Sequence, residues 1–253
     1  MRADHVIECV AVEKAFGRDR VLVGVDCRIP RGRVTVIMGP SGTGKSVLLR
    51  HFVGLLAPDR GDVLVEGRSV PAMPERELLA LRRDMGMLFQ DGALFSSMSL
   101  YDNVAFPLRQ HTRRSERDIR QIVRARLREV GLSGAEAKMP NELSGGMRKR
   151  AGFARALVLE PSILLFDEPD SGLDPVRTAL LCELILEIQR RYGSTAVVIS
   201  HDTKAVLAIA DYVILLHAGR VIEQGTRERL ERSDHPFTRQ FLRGAVDGPL
   251  AMD

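Results

Sequence analysis

The stretch VTVIMGPSGTGKS, residues 34–46, decides the fold class of this chain. Its first five residues, 34–38, form a short apolar run that ends in glycine, which predicts a buried strand. Apolar residues then recur at helical spacing and predict a helix, at Val47, Leu48, Phe52, Val53, Leu55 and Leu56. The run Pro-Asp-Arg-Gly at 58–61 is expected to end that helix. A glycine-rich loop therefore joins a strand to a helix.

This loop fits the pattern G-x-x-x-x-G-K-[ST], in which each fixed position has a physical reason. Glycines let successive backbone N–H groups turn inward around an anion, and the following helix directs its positive end at the same point. Lys45 adds a cation for the β- and γ-phosphates, and the hydroxyl of Ser46 can ligate Mg²⁺. A chance match, a glycine-rich turn beside a helix cap, arises in roughly one chain in a hundred of this length. We therefore expect a nucleotide-binding loop made of Gly39, Pro40, Ser41, Gly42, Thr43, Gly44, Lys45 and Ser46.

Strand patterns elsewhere extend this unit into an α/β domain. Alternating polarity predicts two N-terminal strands, at 6–13 and 21–29, joined by a turn. Apolar runs predict buried strands at 162–166, 195–199 and 212–216. Strands that alternate with helices favour a mostly parallel core sheet covered on both faces.

The helical patterns are clearest in the middle of the chain. Residues 115–130 predict an amphipathic helix with arginines away from its apolar stripe. Asp174 and Pro175 are expected at the N-cap and first position of a later helix, and Asp202 at the cap of another. The core face of the helix after Asp174 is predicted at Leu180, Leu181, Leu184, Ile185 and Ile188. Residues 75–160 lack comparable strands, which predicts a helical insert.

The composition is that of a globular protein without a membrane segment of its own. Hydrophobic residues make up 45% of the 253 residues, and the net charge is +4. A charge this small gives no argument for nucleic acid or for direct lipid binding. The three cysteines lack metal-ligand spacing and are expected to be buried in a reducing compartment. With no signal core and no apolar run of membrane length, we expect a cytosolic protein or one attached through a partner.

Two acidic residues follow a predicted buried strand. Asp167 and Glu168 come directly after the apolar residues 163–166, and ligands of parallel sheets bind outside the carboxyl ends of strands. Asp167 can then hold Mg²⁺, while Glu168 orients or deprotonates a water that attacks the γ-phosphate. His201 follows the strand at 195–199 and is a candidate γ-phosphate sensor. Taken singly, these residues are more often parts of helix starts.

The order of the motifs along the chain identifies a family. After the phosphate loop come MLFQ at 87–90, LSGGM at 143–147, Asp167-Glu168, SGLD at 171–174 and His201. Over nearly the whole chain this order resembles the ATPases of ABC (ATP-binding cassette) transporters. The resemblance implies a P-loop NTPase fold of the α/β class, with an N-terminal antiparallel β subdomain. It places the ATPase domain at 5–241, with a helical subdomain at about 91–157 inserted in a RecA-like core, and a short tail at 242–253.

The resemblance also implies roles for single residues. Phe16 resembles the aromatic residue that stacks on adenine. Gln90 resembles the glutamine that links Mg²⁺ and the attacking water to the transporter interface.

A second anion site is implied at the start of the helix that follows LSGG. Ser144, Gly145 and the backbone of Gly146 resemble the element that grips the γ-phosphate of a nucleotide on the opposite subunit. Asp174 resembles the residue that couples the two sites. ATP is then sandwiched between two copies of the chain, and hydrolysis requires the dimer.

One departure from the family pattern indicates a branch of it. Met147 stands where the motif usually continues with Gln, so an amide is lost while Ser144 and the backbone N–H groups remain. The stretches LSGGMRKR, LFQDGALF and EPDSGLDPV together resemble the ATPases of bacterial Mce/Mla-type lipid transporters. This resemblance implies a membrane permease of the YrbE/MlaE type and lipid-binding proteins of the Mce/MlaD type as partners, and no nucleic acid. The expected place is the cytoplasmic face of the bacterial inner membrane, as a peripheral subunit.

Two other functions stay open at this point. An ATPase subunit of an amino-acid or ion importer would share every catalytic residue, and only the branch stretches argue against it. A soluble ABC ATPase that acts on ribosomes or DNA usually carries two cassettes or a long coiled-coil insert, and this chain has neither. The transported substrate and the transport direction depend on partners that the sequence does not contain.

Overall fold

The computed structural model describes residues 4–90, 92–200 and 206–250. The chain divides into two compact units, one formed by 1–78 with 197–253 and the other by 79–196. The strands of the first unit are β1 (His5–Phe16), β2 (Asp19–Pro30), β3 (Val34–Met38), β4 (Arg60–Val65), β5 (Arg68–Ser69), β9 (Tyr212–His217) and β10 (Arg220–Thr226). Its helices are α1 (Lys45–Phe52), α7 (Arg227–Glu231) and α8 (Pro236–Arg243).

The second unit holds most of the longer helices. Its elements are β6 (Met85–Leu88), α3 (Leu100–His111), α4 (Glu116–Glu129), a 3-10 turn (Pro140–Glu142), α5 (Gly145–Leu157), β7 (Ile163–Asp167) and α6 (Pro175–Tyr192). The division falls within two elements, α2 (Glu75–Arg83) and β8 (Thr195–Ile199).

The first unit contains both kinds of strand pairing. An antiparallel sheet has the order β2-β1-β4-β5, which confirms the predicted N-terminal pair. β3 pairs in parallel with β9, from Thr35 opposite Tyr212 to Met38 opposite Leu215, and β10 pairs antiparallel with β9. The sequence analysis did not predict β4, β5 or β10. The phosphate loop thus leaves β3, whose five residues are all buried.

The helix after the phosphate loop is shorter than predicted. It ends at Phe52, before Val53 and Leu55, and not at the proline-containing run. Gly54 has φ 64°, a left-handed conformation that stops a helix and favours glycine. A Cβ atom at this position would lie 2.7 Å from Leu78 Cδ1, so packing also excludes a side chain here. Leu55 is half exposed beyond the helix.

A parallel strand pair in the second unit corrects the prediction of a strand-free insert at 75–160. β6 pairs with β7, from Met85 opposite Ile163 to Leu88 opposite Phe166. The sequence pattern did not predict this strand because it has only four residues, one of which is Gly86. That glycine is needed, since a Cβ there would lie 2.4 Å from the carbonyl oxygen of Ala156 on α5. The parallel pairs confirm the α/β class with a mostly parallel core.

The predicted helices are largely confirmed. Ser115 caps α4, whose arginines at 117, 120, 124 and 128 are exposed, and Asp174 caps α6 with Pro175 at its first position. The predicted core face of α6 is wrong at Leu180, which is 59% exposed. The cap predicted at Asp202 lies outside the described residues. Within the described ranges no helix is long and apolar enough to cross a membrane, and the three cysteines are buried as expected.

Candidate nucleotide site

The phosphate loop has a backbone that only glycine permits at its first position. Gly39 has φ 151°, and a Cβ there would lie 1.9 Å from the carbonyl oxygen of Leu216 on β9. Gly44 has φ 97° and forms the N-cap of α1, so that Lys45 is the first helical residue. The glycines therefore let the loop approach a neighbouring strand and pass into a helix N-terminus, while the predicted binding of phosphate by the loop stays a prediction.

Lys45 lies at the centre of this loop. It is 4% exposed, and its Nζ donates hydrogen bonds to the carbonyl oxygens of Gly39 at 2.9 Å and Pro40 at 2.8 Å. Thr43 Oγ1 also donates to Pro40, at 2.9 Å. The loop thus folds around a cation at the start of a helix, where the helix dipole adds positive potential. Ser46 follows in the first turn of the helix with its side chain partly exposed.

Phe16 ends β1 as an exposed aromatic residue, 47% of it accessible. The Nζ atom of Lys14 lies 5.7 Å from its ring centroid and 2.8 Å from a carboxylate oxygen of Asp59. The Lys14 ammonium and the Ala15 amide hold the pKa of Asp59 below its ordinary value. An apolar ring with an open face suits stacking on a base, which stays a prediction for this chain.

The two predicted carboxylates lie at the end of a buried strand. Asp167 is the last residue of β7 and is 6% exposed. Glu168 follows with φ 47°, a left-handed conformation that costs a residue other than glycine on the order of 1–3 kcal/mol. Among the described residues this conformation is shared by Ala11, Glu66, Ala93, Glu160 and Ala218, so it does not by itself assign a role to the side chain of Glu168.

Gln90 contacts the loop that carries Glu168. Its Nε2 donates to Ser171 Oγ at 3.3 Å. Turn hydrogen bonds hold the loop itself, from Ser171 N to the carbonyl oxygen of Glu168 at 3.2 Å and from Leu173 N to that of Asp170 at 3.0 Å. The second unit therefore joins two predicted site segments through Ser171, whose side-chain role the sequence analysis did not assign.

The LSGG segment forms a helix N-terminus with small, accessible residues. Ser144 is the N-cap of α5, and its hydroxyl accepts a hydrogen bond from the backbone N–H of Met147 at 3.3 Å. Ser144 and Gly145 are exposed. At Gly146 a Cβ would meet only Leu173 Cδ2, at 3.6 Å, which is ordinary van der Waals contact. The segment is thus an accessible helix N-terminus made of small residues, and its role as an anion site stays a prediction.

Met147 lies beside an apolar hollow between α5 and α6. The hollow has a volume of about 380 Å³ and is lined in part by Leu173, Leu180, Leu181 and Leu184. Met147 is partly buried. Ser144, Lys149, Arg150 and Arg177 also line the hollow, so Met147 has both apolar and polar neighbours and the lining does not by itself explain the departure from Gln.

Asp174 has a structural role in addition to the one that the resemblance implies. Its Oδ1 accepts from Arg177 N at 3.0 Å, and its Oδ2 lies 3.1 Å from Arg177 Nε. The carboxylate therefore caps α6 and pairs with a cation one turn later. His201, the predicted sensor, lies outside the described residues.

Two basic residues of α5 were not singled out from the sequence. Lys149 is 7% exposed and donates to the carbonyl oxygens of Pro169 and Ser171. Arg155 donates to the carbonyl oxygens of Ala93 at 2.9 Å and Gly92 at 3.1 Å, and burial lowers the pKa of its guanidinium. Lys149 belongs to the basic run at 148–150 and Arg155 stands between two alanines, so no sequence pattern distinguished either residue.

The comparisons with known proteins agree with this geometry. The family model described as ABC transporter matches residues 22–171. The chain belongs to the ABC transporter family, as one of its ATPases. Relatives of this ABC ATPase include "Probable ribonucleotide transport ATP-binding protein mkl" of Mycobacterium leprae, 50% identical over 97% of this chain and 71% of the relative. "Intermembrane phospholipid transport system ATP-binding protein MlaF" of Escherichia coli is 45% identical over 97% of this chain and 91% of its own length.

A solved structure of the family has the same fold. The ATP-binding cassette MJ0796, in a dimeric post-hydrolysis state bound to ADP and Pi, superposes with a TM-score of 0.81 and 30% identity. The match covers 87% of this chain and 98% of that one. The ABC ATPase fold predicted from the sequence is therefore confirmed.

Proposed function

We propose that this ABC ATPase powers the movement of lipids through a separate membrane permease. The observation that carries the proposal is the similarity to the phospholipid transport protein MlaF, which spans 97% of this chain. The stretch LSGGMRKR supports it, because it is one of the three stretches that resemble the ATPases of Mce/Mla-type lipid transporters. The proposed substrate is a lipid of the phospholipid, sterol or fatty-acid class.

In this proposal the first unit binds the nucleotide. The phosphate loop wraps the β- and γ-phosphates with backbone N–H groups, and Lys45 neutralises their charge. Phe16 stacks on the adenine ring. The buried ammonium of Lys45, already held at the centre of the loop, is the contact expected to matter most for binding.

The residues present suit Mg²⁺ bound together with ATP. Among the described residues no group of three or more His, Cys, Asp or Glu is placed to hold a metal by itself. Mg²⁺ in nucleotide sites is usually bound through one or two carboxylates together with substrate phosphates and waters, so it does not need a cluster of acidic residues. Ser46, Gln90 and Asp167 would hold it, and Asp167 is a buried carboxylate at a strand end. When bound, the ion supplies positive charge that offsets the charge developing on the phosphates.

Glu168 acts as the general base in the proposed reaction. Its carboxylate orients a water and accepts its proton as the water attacks the γ-phosphate. His201 contacts the γ-phosphate and so senses its presence. Gln90 links Mg²⁺ and the attacking water to the interface with the permease. The position of Glu168 directly after the buried strand β7 supports its role as the base, because ligands of parallel sheets bind outside the carboxyl ends of the strands.

Two copies of the chain sandwich two ATP molecules in this mechanism. Ser144, Gly145 and the backbone of Gly146 of one copy grip the γ-phosphate held by the other, and Asp174 couples the two sites. The accessible, small-residue N-terminus of α5 supports this role. The dimeric state of the related cassette bound to ADP and Pi supports it as well.

The proposed partners are an integral permease of the YrbE/MlaE type and lipid-binding proteins of the Mce/MlaD type. The chain then works at the cytoplasmic face of the bacterial inner membrane as a peripheral subunit, without contact to nucleic acid. A second candidate substrate is a ribonucleotide, because the mycobacterial relative at 50% identity carries that description.

Isolation of the native complex from membranes, followed by reconstitution, tests the proposal. Mass spectrometry of the proteins that co-purify with the tagged chain is expected to find the permease and lipid-binding partners. In reconstituted vesicles phospholipid, and not added ribonucleotides, is expected to be moved in an ATP-dependent way. The matched control is Glu168→Gln, which should assemble but not transport. Transport of ribonucleotides by the same complex would decide for the second candidate.

A further inference from the structure

A buried lysine joins two segments that belong to different ATP sites of the proposed dimer. Lys149 lies on α5 and is 7% exposed. Its ammonium donates to the carbonyl oxygen of Pro169 at 3.1 Å and to that of Ser171. Both acceptors are in the loop 168–174, which connects β7 to α6 and begins with Glu168.

The contact joins a helix to the backbone of a loop. Lys149 is on the same helix as Ser144 and Gly146, little more than one turn further along. The acceptors are backbone carbonyls, so the hydrogen bonds fix the course of the loop rather than one side chain. Gln90 holds the same loop from another element through Ser171 Oγ. A compact ammonium with several donors can serve two carbonyls at once, and a buried one persists only when its donors are used.

We propose that Lys149 is a positioning residue for ATP hydrolysis. It ties the loop that carries Glu168, the base for the chain's own nucleotide, to the helix start that grips the nucleotide of the second copy. A shift of α5 on engaging the partner's γ-phosphate is then passed to Glu168 through one buried contact. The inference rests on the proposed roles of Glu168 and of the LSGG segment.

The next residue on α5 gives a matched control. Arg150 also donates to two backbone carbonyls, those of Val130 at 3.0 Å and Gly131 at 3.2 Å. These lie at the end of α4 and not in the loop 168–174. If such contacts only stabilise the unit, loss of either cation should lower Tm and change kcat to the same extent.

The test compares Lys149→Met, Lys149→Arg and Arg150→Met in the full chain. ATP turnover gives kcat and KM, thermal unfolding gives Tm, and hydrogen exchange reports on amides of residues 168–174. For Lys149→Met we expect kcat to fall on the order of 10-fold to 100-fold with KM changed by less than about twofold, because misplacement of catalytic groups by about 1 Å has such an effect. The rate of amide hydrogen exchange should rise in the loop 168–174 and stay unchanged along α5. Lys149→Arg, which keeps the charge and donors, should recover part of the rate.

Arg150→Met is expected to lower Tm and leave kcat within about twofold of wild type. Equal losses of kcat in Lys149→Met and Arg150→Met, or a Lys149→Met kcat near wild type, would overturn the proposal. If Lys149→Met does not fold, Lys149→Gln is judged by the same criteria. The outcome is separable from that of the lipid proposal, since a wild-type chain that hydrolyses ATP without moving lipid still allows this comparison.

Discussion

Gly146→Ala separates the stability of the chain from its proposed action on a second copy. Gly146 is in the first turn of α5, and an added Cβ would meet only Leu173 Cδ2, at 3.6 Å. Alanine is favoured over glycine within helices by about 0.8–1 kcal/mol. We therefore expect the variant to be stabilised by up to about 1 kcal/mol, which raises Tm by roughly 2–4 °C for a chain of this size.

The same methyl group is expected to impair hydrolysis. If the backbone of Gly146 approaches the γ-phosphate held by the other copy, the Cβ intrudes on that contact. Displacement of a pre-organised hydrogen-bond donor from a site of developing charge typically costs about 10²-fold in rate. The variant should therefore be more stable and much less active, a combination that damage to folding cannot produce.

The assay pairs thermal unfolding with ATP turnover of the full chain, and Gly152→Ala on the same helix is the control. At Gly152 a Cβ would lie 2.8 Å from the carbonyl oxygen of Gly92, so that variant should lose stability. Wild-type turnover in Gly146→Ala would refute the assignment of the LSGG segment to the partner's nucleotide. A lower Tm in Gly146→Ala would refute the packing argument.

Four further substitutions, at three positions, test the proposed roles of single residues. Lys45→Ala should weaken ATP binding markedly in a direct binding titration, and binding at wild-type strength would show that the loop assignment is wrong. Glu168→Gln should lose about 10²–10⁴-fold in turnover yet accumulate as an ATP-bound dimer on size-exclusion chromatography with Mg²⁺, run with and without the permease; near-normal turnover would move attention to His201. Asp174→Ala should cost about 1 kcal/mol by removing the α6 cap, seen as a lower Tm, whereas Asp174→Asn keeps the cap and changes only turnover. Equal Tm losses in both Asp174 variants would contradict the capping argument.

The sequence predicted those parts of the fold and site that are set locally. The phosphate loop was predictable because the backbone at the two fixed glycine positions of its motif leaves no room for a side chain. At Gly39, for example, a Cβ atom would lie 1.9 Å from the carbonyl oxygen of Leu216. The cap at Asp174 was also predictable, since a capping side chain bonds a backbone N–H a few residues away.

The parts that were missed depend on neighbours distant in sequence. β6 is a strand because β7 lies beside it, and its own four residues carry too little signal. Lys149 and Arg155 are buried because loops from elsewhere in the chain present carbonyl oxygens to them. Leu180 is exposed although it fits the apolar spacing of α6. The spacing predicts which residues share one face of the helix, but it does not show whether another element packs on that face.

The structure also gives a physical reason why methionine is acceptable at position 147. What α5 requires from this residue is its backbone N–H, which donates to the hydroxyl of Ser144 and completes the N-cap. Any residue except proline supplies that donor, so the cap does not select the side chain. The side chain instead lies by a hollow lined by Leu173, Leu180 and Leu184 and also by Ser144, Arg150 and Arg177, a mixed lining that admits an apolar side chain without excluding an amide. The departure from the family motif therefore leaves the N-cap of α5 intact.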